Sequence, residues 1–451
     1  MKKKYITKLM IAACLSSALS LNSCIEEVFP ESSTATIDQI GKSDQAISAM
    51  VNSVVAFINA FRSYGPQFYH DFGYSGYNLI RESACEDFFC HEPKFDFFDT
   101  YGVCNDLGDA DVVNTIWYYN YKFLNNVNNA LSALEKADDA PENKYYKGIC
   151  LSYRAMIYMD LVRKTGVEKL DAEAASKNLY GITVPIITAE TTEEEGRNNP
   201  RAPFYAVYKF ILDDLASAEE LLSDYQRPTK NLPCTPVVHG LMARMWLEMG
   251  SRFELYPEDL NTLNNNTDLN IASKETCFTK AAEYARKVIN ESGAMPLTEK
   301  EWFGGDSYTT GFNSVLTNSW VWGSIMTTED VHSYWLNFAG SMCPEQTFGY
   351  GNRKWQGYKL IGKKLFDQIP NADWRKTTWI APEDAHKAPG TKYRTLLTDD
   401  DFADMPPYTG IKFRPKNGEM NDYTIGAAVD YPLMRIEEMY LIEAEAIGMS
   451  Q

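Results

Sequence analysis

The chain has 451 residues and a formal charge of −18 at pH 7, from 43 Lys and Arg against 61 Asp and Glu. Such an acidic body repels nucleic acid and anionic headgroups, and no Lys/Arg-rich cluster interrupts it, so nucleic-acid binding is excluded. The length allows a large buried core and exceeds the usual single-domain size, which leaves either two lobes or one extended helical array.

At the N-terminus Lys2, Lys3, Lys4 and Lys8 precede an apolar stretch from Leu9 to Leu21, the layout of a bacterial export signal too short to span a bilayer. The stretch closes on Leu21-Asn22-Ser23-Cys24, which resembles the lipobox of bacterial lipoproteins, where the cysteine thiol receives a diacylglycerol and the signal is removed behind it. Residues 1–23 are then the signal peptide, and Cys24 is the first mature residue and lipid anchor, bearing acyl chains such as palmitate. Each buried acyl methylene is worth about 0.8 kcal/mol, so two or three chains tether a soluble body durably to a membrane. The alternative is an ordinary cleaved signal followed by a chance cysteine. Loss of the signal removes four lysines and no acid, moving the formal charge to −22. Glu26 and Glu27 resemble a surface-export determinant of such lipoproteins. Gly41-Lys42-Ser43 has the end of a phosphate loop, but Thr36 stands where its first glycine is required.

A first polar and aromatic patch, Tyr69-His70-Asp71-Phe72-Gly73-Tyr74-Ser75-Gly76-Tyr77 with Arg81, precedes the regular helices. Seven cysteines follow Cys24, an odd number without C-x-x-C spacing; Cys85 and Cys90 are the nearest couple, and buried free thiols are the expectation for most. Past about residue 115 the apolar spacing becomes helical and comes in couples. Phe123, Val127, Ala130, Leu131 and Leu134 make one stripe, and Tyr146, Ile149, Tyr153, Met156 and Ile157 a second beyond the break at Asp138-Asp139-Ala140-Pro141-Glu142. Tyr208, Ile211, Leu215, Ala218 and Leu222 are followed across Pro228 and Pro233 by Val238, Leu241, Met242, Met245 and Met249. A third round starts at Phe278, Ala281, Ala282, Ala285, Val288 and Ile289. Small residues such as Ala155, Ala243 and Ala281 let helix axes approach, as stacked tetratricopeptide-like hairpins require. Long insertions between the couples rule out a regular solenoid.

Seven of the nine tryptophans fall between Trp302 and Trp379, in a stretch rich in Gly, Asn, Ser and Thr. Trp302, Trp320, Trp322, Trp335 and Trp355 are joined there by Tyr308, Phe312, Tyr334, Phe348 and Tyr350. Trp117 and Trp246, on helix stripes, are expected in the core. The histidines His70, His91, His239, His332 and His386 have no metal-ligand spacing, and no G-x-S-x-G occurs. Paired carboxylates of a glycosidase need proximity in space only, and so many acids make any such pair uninformative.

The string Arg435-Ile436-Glu437-Glu438-Met439-Tyr440-Leu441-Ile442-Glu443-Ala444-Glu445-Ala446 is the most specific in the chain. It resembles the late helix of the SusD/RagB family, whose members carry Arg-x-x-Glu-x-Tyr-Leu-x-x-Ala-Glu-Ala, and every patterned position matches. Ser152-Tyr153-Arg154-Ala155 running to Lys164-Thr165-Gly166, Ile211-Leu212-Asp213-Asp214-Leu215, and Ala281-Ala282-Glu283-Tyr284-Ala285 resemble its earlier helices in order. The resemblance implies a mainly α fold, a tetratricopeptide-like helix-hairpin scaffold with large irregular loop insertions. Residues 24–451 would form one SusD-like domain, with helical repeats at about 115–165, 203–250, 276–292 and 432–447 and a loop-rich ligand-binding region at about 300–430. Family members continue past this helix whereas the chain stops at Gln451, so the sequence reads as truncated, with the stripe Ile436, Met439, Tyr440 and Ala444 partly uncovered.

The function implied is non-catalytic and cofactor-free. A surface-exposed outer-membrane lipoprotein would bind an oligosaccharide or polysaccharide and deliver it to a SusC-like TonB-dependent transporter. Aromatic faces pack on sugar C–H faces while amides, carboxylates and Arg meet hydroxyls. Burial under a long loop competes with sugar contact for every tryptophan, because irregular regions need aromatic anchors. Trp320 and Trp322, on one face of an extended segment, are the pair put forward for glycan contact, with Trp302, Trp335, Tyr308, Tyr350, Tyr74, Tyr77, Asp71 and Arg81 beside them. For Asp71 and Arg81 the alternative is a surface ion pair. The competing functions are peptide capture of the RagB kind, a tethered glycoside hydrolase, and a helical-repeat adaptor.

Overall fold

The computed structural model describes residues 35–61, 71–92, 111–169, 178–309, 312–331, 337–345, 357–388 and 390–451. Its scaffold is helical. Helix α1 (Asp44–Ala56) starts where the Ser43 hydroxyl accepts from the Ala46 amide, and it buries Ile47, Val51, Val54 and Val55 along one face. Helix α2 (Tyr74–Ser83) follows, then strand β1 (Phe88–Cys90). Helices α3 (Asp111–Glu135) and α4 (Pro141–Thr165) form a hairpin whose second arm opens with Pro141, a residue preset for a first helical turn. Helices α5 (Phe204–Leu221), α6 (Thr235–Leu255), α7 (Pro257–Asn266) and α8 (Lys274–Glu291) continue the array, and α9 (Ile436–Met449) closes it.

Neighbouring arms stack in sequence: α3 on α4, α4 on α5, α5 on α6, α6 on α8 and α8 on α9. The stripes that drive this are fully inside, from Phe123 and Val127 on α3 through Ile211 and Leu215 on α5 to Phe278 and Ala281 on α8. Each such large side chain contributes about 1.5–3 kcal/mol of burial. Two glycines permit close approaches within the stack. A Cβ on Gly148 would lie 2.7 Å from Leu222 Cγ, between α4 and the end of α5, and one on Gly240 would collide with the Met434 sulfur. Cys150, Cys234 and Cys277 are buried free thiols in this core, and burial pushes those of Cys150 and Cys277 up to about 12.

The described strands make two antiparallel pairs. Strand β2 (Trp320–Ser324) pairs with β4 (Tyr431–Arg435), and β1 pairs with β3 (Lys359–Ile361). The last repeat therefore begins as strand, not helix. Residues 431–435 are held in the β2 ladder and Arg435 takes extended backbone, so α9 starts only at Ile436. Within the irregular region, Tyr358, Ile380, Tyr393, Phe402 and Met405 build a small separate core.

On α9, Ile436 and Met439 are buried, whereas Tyr440, Leu441, Ala444 and Ile447 are exposed. Its acids hold it to the stack. Glu438 accepts both Nε and Nη2 of Arg244 at 2.6 Å, and Glu443 accepts from Arg286. Among the described residues no helix is long and apolar enough to cross a membrane.

Candidate functional site

The aromatic pair singled out in the sequence is inside the protein. All five residues of β2 are buried, Trp320 and Trp322 completely. The Trp322 ring stands edge-on to Tyr153, centroids 5.1 Å apart, and its indole N–H donates to the Asn231 carbonyl at 3.1 Å. A strand covered on both faces buries successive side chains alike, so alternation along β2 brings neither indole to solvent.

The early patch is corrected in the same way. Residues from Tyr74 onward form helix α2, nearly all of it buried. The Tyr74 hydroxyl donates to Asp160 at 2.5 Å, and the Tyr77 hydroxyl to Asp71 at 2.9 Å, with Asp71 itself sealed. Asp71 is thus a core acceptor, not a partner for ligand hydroxyls. Arg81 stays half-exposed beside Glu82.

Trp302 is half-buried, donating to the Thr378 hydroxyl at 2.9 Å and set edge-on to Phe312 and Trp374. Lys412 lies 4.5 Å from its ring centroid. Tyr308, also half-buried, has φ +57° and offers its carbonyl to Arg414. Trp335, Tyr350, Trp355, Tyr334, Phe348 and the anchor Cys24 lie outside the described residues.

What the structure does bring together is a cavity of about 550 Å³ between α2, the start of α3 and the end of α4. Helix α2 contributes Tyr77, Ile80 and Arg81 to the wall, one face at steps of three and four. Helix α3 adds Val113, Ile116 and Trp117, and α4 adds Asp160, Arg163 and Lys164, while Arg201 closes the side from the segment before α5. Trp117 is therefore not a core residue: it is half-buried, with its ring 4.9 Å from Tyr121 and on the cavity wall.

The charges here are unbalanced. Arg81 and Arg163 reach Glu82 and Glu248, each at 3.1 Å. Lys164, with 13% of its side chain exposed, has Asp160 at 4.0 Å. Arg201 donates to the carbonyls of Thr183 and Thr165 and has no carboxylate partner among the described residues. Burial would raise the carboxyl of Asp160, yet Lys164, the Tyr74 hydroxyl, Arg81 and Arg163 together hold it below its ordinary value. Burial and the like charge of Arg81 push Lys164 down, with Asp160 alone opposing them. The direction at Asp160 reflects the cations gathered around it, whereas that at Lys164 reflects chiefly its burial.

Sequence reasoning missed Trp117, Asp160, Arg163, Lys164 and Arg201. The available signal was the Asp160 to Lys164 spacing on one helix face, next to a conspicuous Arg163-Lys164 exit. A second cleft, of about 560 Å³, lies in the loop-rich region. The amides of Asn313, Asn318 and Asn417 and the amines of Lys300 and Lys416 line it, with no aromatic ring.

Residues 47–247 match the SusD-like family described as starch-binding and associating with the outer membrane. No curated protein sequence matches the chain. Among solved structures, a SusD-like carbohydrate-binding protein from Bacteroides vulgatus ATCC 8482 superposes with a TM-score of 0.64 at 20% identity, covering 90% of this chain and 71% of that one. A SusD superfamily protein from Parabacteroides distasonis ATCC 8503 gives 0.63 at 18%, covering 90% and 76%. A laminarin-binding SusD-like protein gives 0.58 at 15%, covering 91% and 82%. The helical stack, the matched segment and these superpositions lead to one conclusion: residues 47–247 match the SusD-like family, and the chain has the fold of SusD-like structures.

Proposed function

We propose that this protein is a non-catalytic, surface-exposed outer-membrane lipoprotein, anchored through Cys24, that binds a glycan and delivers it to a SusC-like TonB-dependent transporter. The observation that carries the reading is the cavity lined by Trp117, Arg81, Arg163 and Arg201. Such a wall offers a flat apolar face for a sugar ring and planar donors for its oxygens. The kinship with carbohydrate-binding and laminarin-binding structures supports a saccharide ligand. Half-exposed Trp302 and Tyr308 lie in the loop region, where they are available for a longer chain to reach.

Calorimetric titration of the purified protein against a glycan panel tests the reading. Saturable binding, weakened at least about tenfold by Trp117→Ala, is expected from loss of a ring contact and its buried area. Binding that is unaffected by this substitution would move the site away from the cavity. Release of reducing sugar by the purified protein would replace capture with hydrolysis. Incorporation of labelled palmitate, lost in Cys24→Ser, tests the anchor.

A further inference from the structure

The cavity's charge points to a narrower ligand class than glycans at large. On a chain with a formal charge of −18, four cations meet at one wall. Among the described residues the carboxylates within their reach are three, Asp160, Glu82 and Glu248, which leaves these groups with a net positive charge. Two of those carboxylates belong to half-exposed pairs, which contribute little and exchange readily for another anion. The third is already engaged by the Tyr74 hydroxyl. Arg201 uses two donor positions on backbone carbonyls and retains others of its five. A neutral sugar entering here leaves that excess unanswered, whereas an anion fixed to a sugar ring answers it in a partly desolvated place where charge-assisted hydrogen bonds are strongest.

Resting on the glycan-capture reading above, we infer that this cavity selects saccharides bearing an acidic substituent, a uronate carboxylate or a sulfate ester. Trp117 supports the ring, and Arg81, Arg163, Lys164 and Arg201 gather around the anion. Asp160 has a positioning part: it keeps Lys164 in place and, through Tyr74, ties the cationic wall to α2.

The test is calorimetry on two matched pairs of probes, oligogalacturonate against its methyl ester, and sulfated galactan oligomers against the same oligomers desulfated. The acidic member of at least one pair is expected to bind about tenfold tighter or better, and which pair responds identifies carboxylate or sulfate. Arg81→Gln and Arg163→Gln should each weaken the acidic probe about tenfold and the neutral counterpart less, so that the advantage of the acidic member shrinks; an advantage left intact in both variants would overturn the role of these cations. Both side chains are half-exposed, and an unchanged circular dichroism spectrum verifies that each variant is folded. Equal affinities within both pairs would overturn the acid selection and leave glycan capture standing. No binding of any of the four probes, nor of neutral glucans, would overturn both.

Discussion

Replacing Trp322 with alanine separates a core tryptophan from a ligand platform. The side chain is fully buried, packs edge-on against Tyr153 at 5.1 Å and donates to the Asn231 carbonyl at 3.1 Å. Truncation of a buried tryptophan costs about 3–5 kcal/mol through lost transfer energy and the cavity left behind. The Asn231 carbonyl, deprived of its donor, adds roughly 1 kcal/mol. The total of about 4–6 kcal/mol is comparable with the whole stability of many domains, roughly 5–15 kcal/mol. Urea denaturation followed by far-ultraviolet circular dichroism should therefore show a much lower midpoint for Trp322→Ala. Any fraction still folded at low temperature should bind glycan with the parent affinity. Trp320→Ala should lose the cavity term alone, because the indole nitrogen of Trp320 finds no acceptor among the described residues. A Trp322→Ala protein with the parent midpoint and abolished glycan binding would refute this reasoning and return the indole to the ligand.

Substitutions at two further sites probe the buried charges. Lys412 lies 3.6 Å from the Phe312 ring centroid, and burial together with Arg435 pushes its amine well below the ordinary lysine range. The unfolded chain then holds one proton more between that lowered value and about 10.4, so stability rises with pH across this window and gains nothing further above it. Lys412→Met should be more stable than the parent at neutral pH and lack that rise; parallel urea midpoints from pH 7 to 9 would contradict it. In the Arg244 and Glu438 pair, Glu438→Leu alone should cost about 2 kcal/mol by leaving a largely buried guanidinium with one carbonyl, while Arg244→Met with Glu438→Leu should recover much of that loss. Strictly additive losses in the denaturation cycle would show that the pair is uncoupled.

These residues also show what a sequence carries. The helical stripes were legible because the apolar side chains that drive stacking recur at steps of three and four within a single segment, as Phe123, Val127 and Leu131 do. The late motif was legible for the same reason, and its charged positions now have partners: Glu438 with Arg244 and Glu443 with Arg286. Trp-x-Trp was misleading because what covers β2 comes from far away in the chain. Tyr153 and Asn231 lie well before Trp322, and no local spacing announces them. The early patch misled through composition: glycine and polar residues read as loop, yet Tyr77, Ile80 and Arg81 share a helix face. Trp117 erred in the opposite direction. Its helix stripe is real, but the start of α3 lies at the cavity wall and the residue is only partly buried there.

Local and global electrostatics oppose each other at this site, and that opposition has a kinetic signature. The chain carries a formal charge of −18, or −22 without its signal, and repels a polyanionic glycan at long range, whereas the cavity attracts its acidic group at contact. Raising salt shortens the screening length from about 30 Å at 0.01 M to about 8 Å at 0.15 M, which removes the distant repulsion first and weakens close, partly buried contacts less. Association of an acidic oligomer should therefore accelerate as salt rises across this range. Dissociation should also accelerate, because half-exposed Arg81 and Arg163 are screened once bound. Stopped-flow fluorescence measures both rates. An association rate that instead falls with salt would mean that the cationic wall governs the field well outside the cavity, as in electrostatic steering. In that event the acidic body would not act as a barrier to the ligand at all.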